Sequence, residues 1–190
     1  GLDLTTTDQI EPKIIPTGLS NNIISLCAPW LVEEEQYSPH GLALYSLVPY
    51  LSEKFFLATR KNGWGYIAHA HHLTLNAKHF VYFQVNLSKE FLGQTKNHEE
   101  VFQTLIKNAL WETKKEAKTL IAREKLRKAA VPVNCHAKLD WALSGLKKFD
   151  QMIDGEKVRD AYATLTEADI NFWLDYFSQT PPQILSIGDL

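Results

Sequence analysis

Seven histidines stand out among the residues of this chain that could do chemistry, and two groups of them invite comparison with metal sites. His98-Glu99-Glu100-Val101-Phe102 begins like H-E-x-x-H, a helical motif whose two imidazoles stand one turn apart on a zinc ion. Phe102 occupies the second ligand position, and the inverted form H-x-x-E-H occurs nowhere. Neither zinc-peptidase geometry is available, so His98 and Glu99 read as polar residues at a helix start. The run His69-Ala70-His71-His72 is different. On a strand, His69 and His71 point to one face and His72 to the other. Imidazoles at i and i+2 can share a metal, but spacing supplies no third ligand. The run therefore reads as a polar strand end, and no metal ligand set is expected in this chain.

Other reactive patterns are missing. Gly63-x-Gly65 lacks the third glycine and the strand–turn–helix order of a dinucleotide fingerprint, and no G-x-S-x-G elbow appears. Cys27 and Cys135 fit no metal-ligand spacing, have no neighbouring nucleophile motif, and read as buried free thiols. No catalytic residue is assigned. Between Lys107 and Lys128 eight basic residues face Glu112, Glu116 and Glu124. This pattern suits a solvated helix face with i,i+4 pairs such as Glu124 with Lys128; its sharper alternative is a docking surface for an acidic partner.

The elements that must position these residues can be read from pattern. Residues 1–20 are polar, punctuated by Pro12 and Pro16, and read as a lead-in to a domain over 21–190. A first strand is expected over 22–32 with Pro29 near its end. Ser38-Pro39 starts a helix whose Leu44, Leu47, Val48, Leu51 and Phe55 recur at helical spacing through Thr59, and Pro49 should kink or split it. After the Lys61–Gly65 turn, Tyr66–Thr74 and Lys78–Leu87 should form an antiparallel hairpin across Asn76-Ala77, with Val81, Phe83 and Val85 on one face. Asn97 or Thr95 caps a helix bearing Phe102, Leu105, Ile106, Ala109 and Leu110. A second amphipathic segment runs from about Thr113 to Ala130. A third runs from Asn134 through Met152, with Leu139, Ala142, Leu143, Leu146 and Phe149 inward, and Asp154-Gly155 breaks it. Thr166-x-x-Asp169 opens a last helix bearing Ile170, Trp173, Leu174 and Phe177; Pro181-Pro182 ends it before a closing strand over 183–187. The fold class is α+β, an antiparallel sheet with helices on one face.

Composition agrees with a packed domain: 45% of residues are apolar and 22% charged, values that exclude disorder. A formal charge of −2 gives no reason to expect a nucleic-acid partner. No apolar run approaches the roughly 18 residues of a membrane span, so no membrane partner is expected. The chain begins at Gly1 and its one methionine is Met152, which leads us to expect a processed product or a piece of something longer.

The segment from Tyr50 to Tyr66 resembles an element of the pitrilysin/insulinase (inverzincin) zinc metallopeptidases. There a helix leads into a Leu-Arg-Thr-Lys-x-x-Leu-Gly-Tyr passage and then a strand. Lys61, Gly65 and Tyr66 match that passage, and Trp64 replaces its leucine. The order of the later elements is similar too, including Trp141 and the run Leu165-Thr166-Glu167-Ala168-Asp169-Ile170, which resembles the family's L-T-x-x-D-I helix start. The resemblance covers about residues 20–190. It implies a chamber built from four homologous α+β domains, or from paired subunits with two each, with zinc on H-x-x-E-H plus a distant glutamate in the first domain. The last domain lacks zinc ligands, and its arginine and tyrosine help to hold the peptide and the tetrahedral intermediate. Tyr66 falls at that tyrosine; Thr59 stands at the arginine, with Arg60 one residue later.

The expectation from this resemblance is a non-catalytic C-terminal domain that closes the chamber and contributes to peptide binding through Tyr66 and Arg60. No cofactor is expected in this chain, with zinc in a separate domain or subunit. Its partners would be the other domains or subunits of the same peptidase and the peptide substrate. The alternatives are a degenerate scaffold or processing partner without catalysis, and an unrelated binding module using the Lys107–Lys128 face.

Overall fold

A computed structural model describes residues 23–33, 38–64, 67–76, 78–88, 97–129, 138–140, 142–143, 146 and 155–187. The elements run in the order β1 (Ile23–Val32), α1 (Pro39–Lys61), β2 (Ile67–Leu75), β3 (Lys78–Ser88), α2 (His98–Lys115), α3 (Ala117–Ala129), α4 (Gly155–Ala163), α5 (Glu167–Gln179) and β4 (Leu185–Ile187). The described residues between 138 and 146 are helical as well. By internal contacts the chain forms two compact units. One holds the described residues up to Val32, from Ser52 to Ala109 and from Pro181 onward; the other holds those of Glu33–Leu51 and Leu110–Thr180.

The first unit carries a four-stranded antiparallel sheet in the order β2-β3-β1-β4. Alternation decides its two faces. Ile24, Leu26, Ala28 and Trp30 of β1 and Val81, Phe83, Val85 and Leu87 of β3 are buried, and the residues between them are half-buried. Helices cover the buried face. Phe55 of α1 meets Phe83 edge-on at 5.2 Å between ring centroids, and Phe102 of α2 meets Phe55 at 5.9 Å. Quadrupole-matched contacts of this kind add to the burial of large apolar area. The hairpin closes as expected: Leu75 pairs with Lys78, and Asn76 supplies the left-handed backbone of a two-residue turn (φ 50°). Pro29 lies beyond the short β4, which pairs only with Ser25–Cys27, so it sits where one edge of β1 is open.

In the second unit the hydroxyl of Ser38 accepts the N–H of Gly41 (3.0 Å), the cap its sequence position suggests. Pro49 does not split α1, which continues as one 23-residue helix. Pro49 is exposed, and the buried Leu44, Leu47, Val48 and Leu51 around it keep the chain helical at the cost of one backbone hydrogen bond. Ile170, Trp173, Leu174 and Phe177 of α5 are buried. The Asp169 carboxylate reaches back to the N–H and the hydroxyl of Thr166, each at 2.8 Å, the reach-back half of a capping box.

Three expectations are corrected here. Leu139, Leu143 and Leu146 are exposed (52, 51 and 44%) rather than inward; an apolar stripe marks which side chains need a cover without supplying one. Gly155 opens α4 instead of only ending a helix. Glu124 is buried (4% exposed) and accepts a hydrogen bond from Ser46 at 3.1 Å, so it is no part of a solvated face. Asn134, Trp141, Phe149 and Met152, and the side chains of Arg127 and Lys128, lie outside the described residues.

Candidate functional site

The passage that carries the family resemblance begins at the end of α1. Gly63 takes φ +69°, its N–H bonds Arg60 O (3.0 Å), and Trp64 N–H bonds Thr59 O (2.9 Å). These are the two bonds of a Schellman motif, with glycine where the backbone turns left-handed and buried Trp64 closing the turn. The motif fixes two neighbouring side chains in opposite ways. Thr59 is 1% exposed and gives its hydroxyl proton to Phe55 O (2.8 Å). Arg60 is exposed, with its guanidinium carbon 5.3 Å from the centre of the Phe56 ring one turn earlier. A solvent-facing cation thus stands at the last turn of α1. Tyr66, its expected companion, lies outside the described residues.

The open face of the sheet carries a polar row. Ser25 donates to Asn86 Oδ1 (2.6 Å), Gln84 donates to the same oxygen (3.2 Å), and Gln84 also bonds His69. The His69 and His71 rings lie 4.5 Å apart, and Tyr82 lies 6.0 and 6.3 Å from them. Burial, then repulsion from His71, lowers the His69 pKa against the opposing bond from Gln84. On the same face, burial pushes the Cys27 thiol up to about 11 and raises the Tyr82 phenol, with Cys27 adding to the latter. A thiol held protonated in this way is a poor nucleophile at neutral pH. Cys27 is half-buried rather than buried, and free as expected; Cys135 lies outside the described residues.

On the other face of the hairpin His72 Nδ1 and His79 Nε2 stand 3.0 Å apart, and Thr74 Oγ1 lies 3.2 Å from His79 Nδ1. Burial lowers the His79 pKa. Sequence reading separated His72 from His69 and His71 but missed His79. The signal was present: a two-residue turn after Leu75 pairs Thr74 with His79 and sets His72 and His79 on one face. Among the described residues no group of three His, Cys, Asp or Glu is placed to hold a metal ion. His98 starts α2 behind the fully buried Phe102, as its polar reading requires.

Four of the eight basic residues of this stretch are engaged. Lys114 pairs with Asp175 (3.2 Å), Lys115 with Glu112 (2.7 Å) and Lys118 with Glu167 (4.0 Å), and Arg123 lies over Tyr50. Such exposed pairs describe a solvated face. Among the described residues no helix is long and apolar enough to cross a membrane.

No sequence-family model and no curated protein sequence matches the chain. Solved structures do. The periplasmic protease PqqL of Escherichia coli superposes with a TM-score of 0.65 at 9% identity, covering 90% of this chain and 19% of that one. A peptidase M16 inactive domain from Pseudomonas fluorescens gives 0.61 at 14% identity, covering 93% and 42%. Pitrilysin gives 0.54 at 11% identity, covering 88% and 18%. The chain thus spans less than half the length of each. Its fold is the α+β fold of pitrilysin-type domains.

Proposed function

We propose that this chain is a zinc-free, non-catalytic domain of a pitrilysin-type peptidase, closing a chamber and helping to bind the peptide substrate. The observation that carries the reading is the likeness, over 93% of the chain, to a domain described as the inactive domain of its peptidase. The residues do not fit the zinc set that the fold family implies. H-x-x-E-H is absent, and the one partial motif ends in Phe102, a buried core ring that cannot be a ligand. No chemical step is therefore routed through zinc in this chain.

Its contribution would be electrostatic and positional. A cation and a phenol near a developing oxyanion stabilise it, and a peptide carbonyl or carboxylate binds the same pair. Arg60 is the solvent-facing cation of the passage, and Tyr66 follows it six residues later in the sequence. The larger relatives supply the expectation that other domains or subunits complete the chamber. The test is a peptidase assay with an H-x-x-E-H-bearing domain or subunit from the same source, with and without this chain. Activity should require the chain, and Arg60→Ala should lower kcat/KM by about a hundredfold or more, the range for one electrostatic donor. Activity indifferent to the chain would overturn the proposal.

A scaffold reading has one observation in its favour. The position matching the family's arginine is Thr59, buried and bonded within its own helix, so no cation stands there. A complex that contains the chain and hydrolyses no peptide would select that reading.

A further inference from the structure

We infer that the open face of the sheet is a docking surface for an uncharged, extended segment of the peptide substrate, a step that rests on the peptidase reading and gives its substrate a chemical class. Cross-strand pairing sets Leu31, Phe80 and Leu73 in one row of this face and Pro29, Tyr82 and His71 in the next. Ile67, Leu73 and Leu75 are exposed (49, 46 and 50%), and Leu31 and Phe80 are half-buried. Lys78, at the hairpin end, is the one Lys, Arg, Asp or Glu among the described residues of the face, although 22% of the chain is charged. A sheet face turned to water normally carries polar residues outward. Apolar and aromatic side chains with charge depleted are instead the composition of an interface core.

The polar groups of the face select the occupant. Asn86 Oδ1 accepts from both the Ser25 hydroxyl (2.6 Å) and the Gln84 amide (3.2 Å). Among the described residues, Asn86 Nδ2, the Tyr82 hydroxyl and the His71 ring have no hydrogen-bond partner. A purely apolar cover would leave these groups unsatisfied, at a cost. An extended backbone brings a carbonyl and an N–H at every residue. It also repeats every second residue at about 6.8 Å, the interval of Tyr82, Gln84 and Asn86 along β3. Its apolar side chains would settle on the row of Leu31, Phe80 and Leu73. With Lys78 apart, the face has no charge to meet a charge, so Lys, Arg, Asp or Glu brought there would be desolvated and unpaired.

The experiment titrates a capped peptide of Ser, Thr, Gln and Leu, as long as β3, into the ¹⁵N-labelled full chain. The side-chain amide signals of Gln84 and Asn86 should shift together. The same peptide with Glu, or with Lys, at every second position should bind at least about tenfold more weakly. His71→Glu and Leu73→Lys, at exposed positions, should each weaken the neutral peptide about tenfold, and Lys118→Ser should stay within about twofold. No shift of those two signals at about millimolar peptide, charged peptides bound as tightly as the neutral one, or both face variants silent would overturn the surface. Shifts that grow with chain concentration alone would assign the face to a second copy and overturn it too. The charged-peptide series needs no variant, so it decides even if a variant fails to fold. In the peptidase assay with the zinc-bearing partner, activity that requires the chain while both face variants leave kcat/KM unchanged would overturn this surface and spare the peptidase reading. Activity indifferent to the chain would overturn both.

Discussion

The two faces of the sheet are built from the same strands and behave as different materials. On one, Phe83 is fully buried and meets Trp30 at 5.7 Å and Phe55 at 5.2 Å. On the other, Tyr82, one residue earlier, is half-buried beside two histidines. Strand alternation alone separates them. One face must exclude water to stabilise the fold, and the other is left to carry polar and titratable groups. A run such as His69-Ala70-His71-His72 is therefore not one cluster but two half-clusters, each completed from β3.

The sharpest way to break this contrast is at adjacent residues. Phe83→Ala should cost about 3–5 kcal/mol in urea unfolding, through lost burial and the cavity left behind. Tyr82→Ala should cost about 1 kcal/mol or less, the scale of a cross-strand pair. Comparable losses at both would show that the open face is packed too.

Next in size is the turn that sets which residue falls on which face. Asn76 has φ 50°, and Asn76→Ile should destabilise by about 1–2 kcal/mol, because a β-branched residue resists the left-handed region. A one-residue register slip would exchange the faces, so cross-strand NMR contacts from Thr74 to His79 are the readout. Intact contacts with no loss of stability would contradict this role.

A pH comparison probes the open face more gently. His69 titrates below its ordinary 6.5 in the folded chain, so the unfolded chain takes up that proton first as pH falls. Its contribution to stability is thus complete above about pH 6.5 and is lost as pH falls through the lower folded value. His69→Gln should flatten the change in urea midpoint between pH 7.5 and 5, and an unchanged slope would rule out His69 as the source of that change. The smallest effect belongs to Arg60→Ala, which should change stability by less than about 1 kcal/mol, since an exposed cation over a ring is worth little. A larger loss would make Arg60 structural.

The sequence carried much of this sheet. Phe102, Leu105, Ile106, Ala109 and Leu110 are buried where helical spacing put them, and the hairpin closes at Asn76. The turn at Gly63 was legible because glycine is the residue best suited to a left-handed helix end. Glu124 was not legible: a glutamate beside Arg123 and Lys125 reads as surface, and the Ser46 hydroxyl that meets it comes from a distant segment. Nor was α4, whose nine residues are too few for a clear period. The leucines at 139, 143 and 146 were read correctly as a stripe and wrongly as inward, since periodicity gives a face but not its neighbour. His79 was missed because its partner is set by strand register rather than by spacing.

The most direct measurement is peptide hydrolysis by the isolated chain, together with its zinc content after dialysis. A zinc-free, non-catalytic domain should show no turnover of a mixed peptide library and zinc well below one equivalent. Turnover that tracks one equivalent of bound zinc would contradict it.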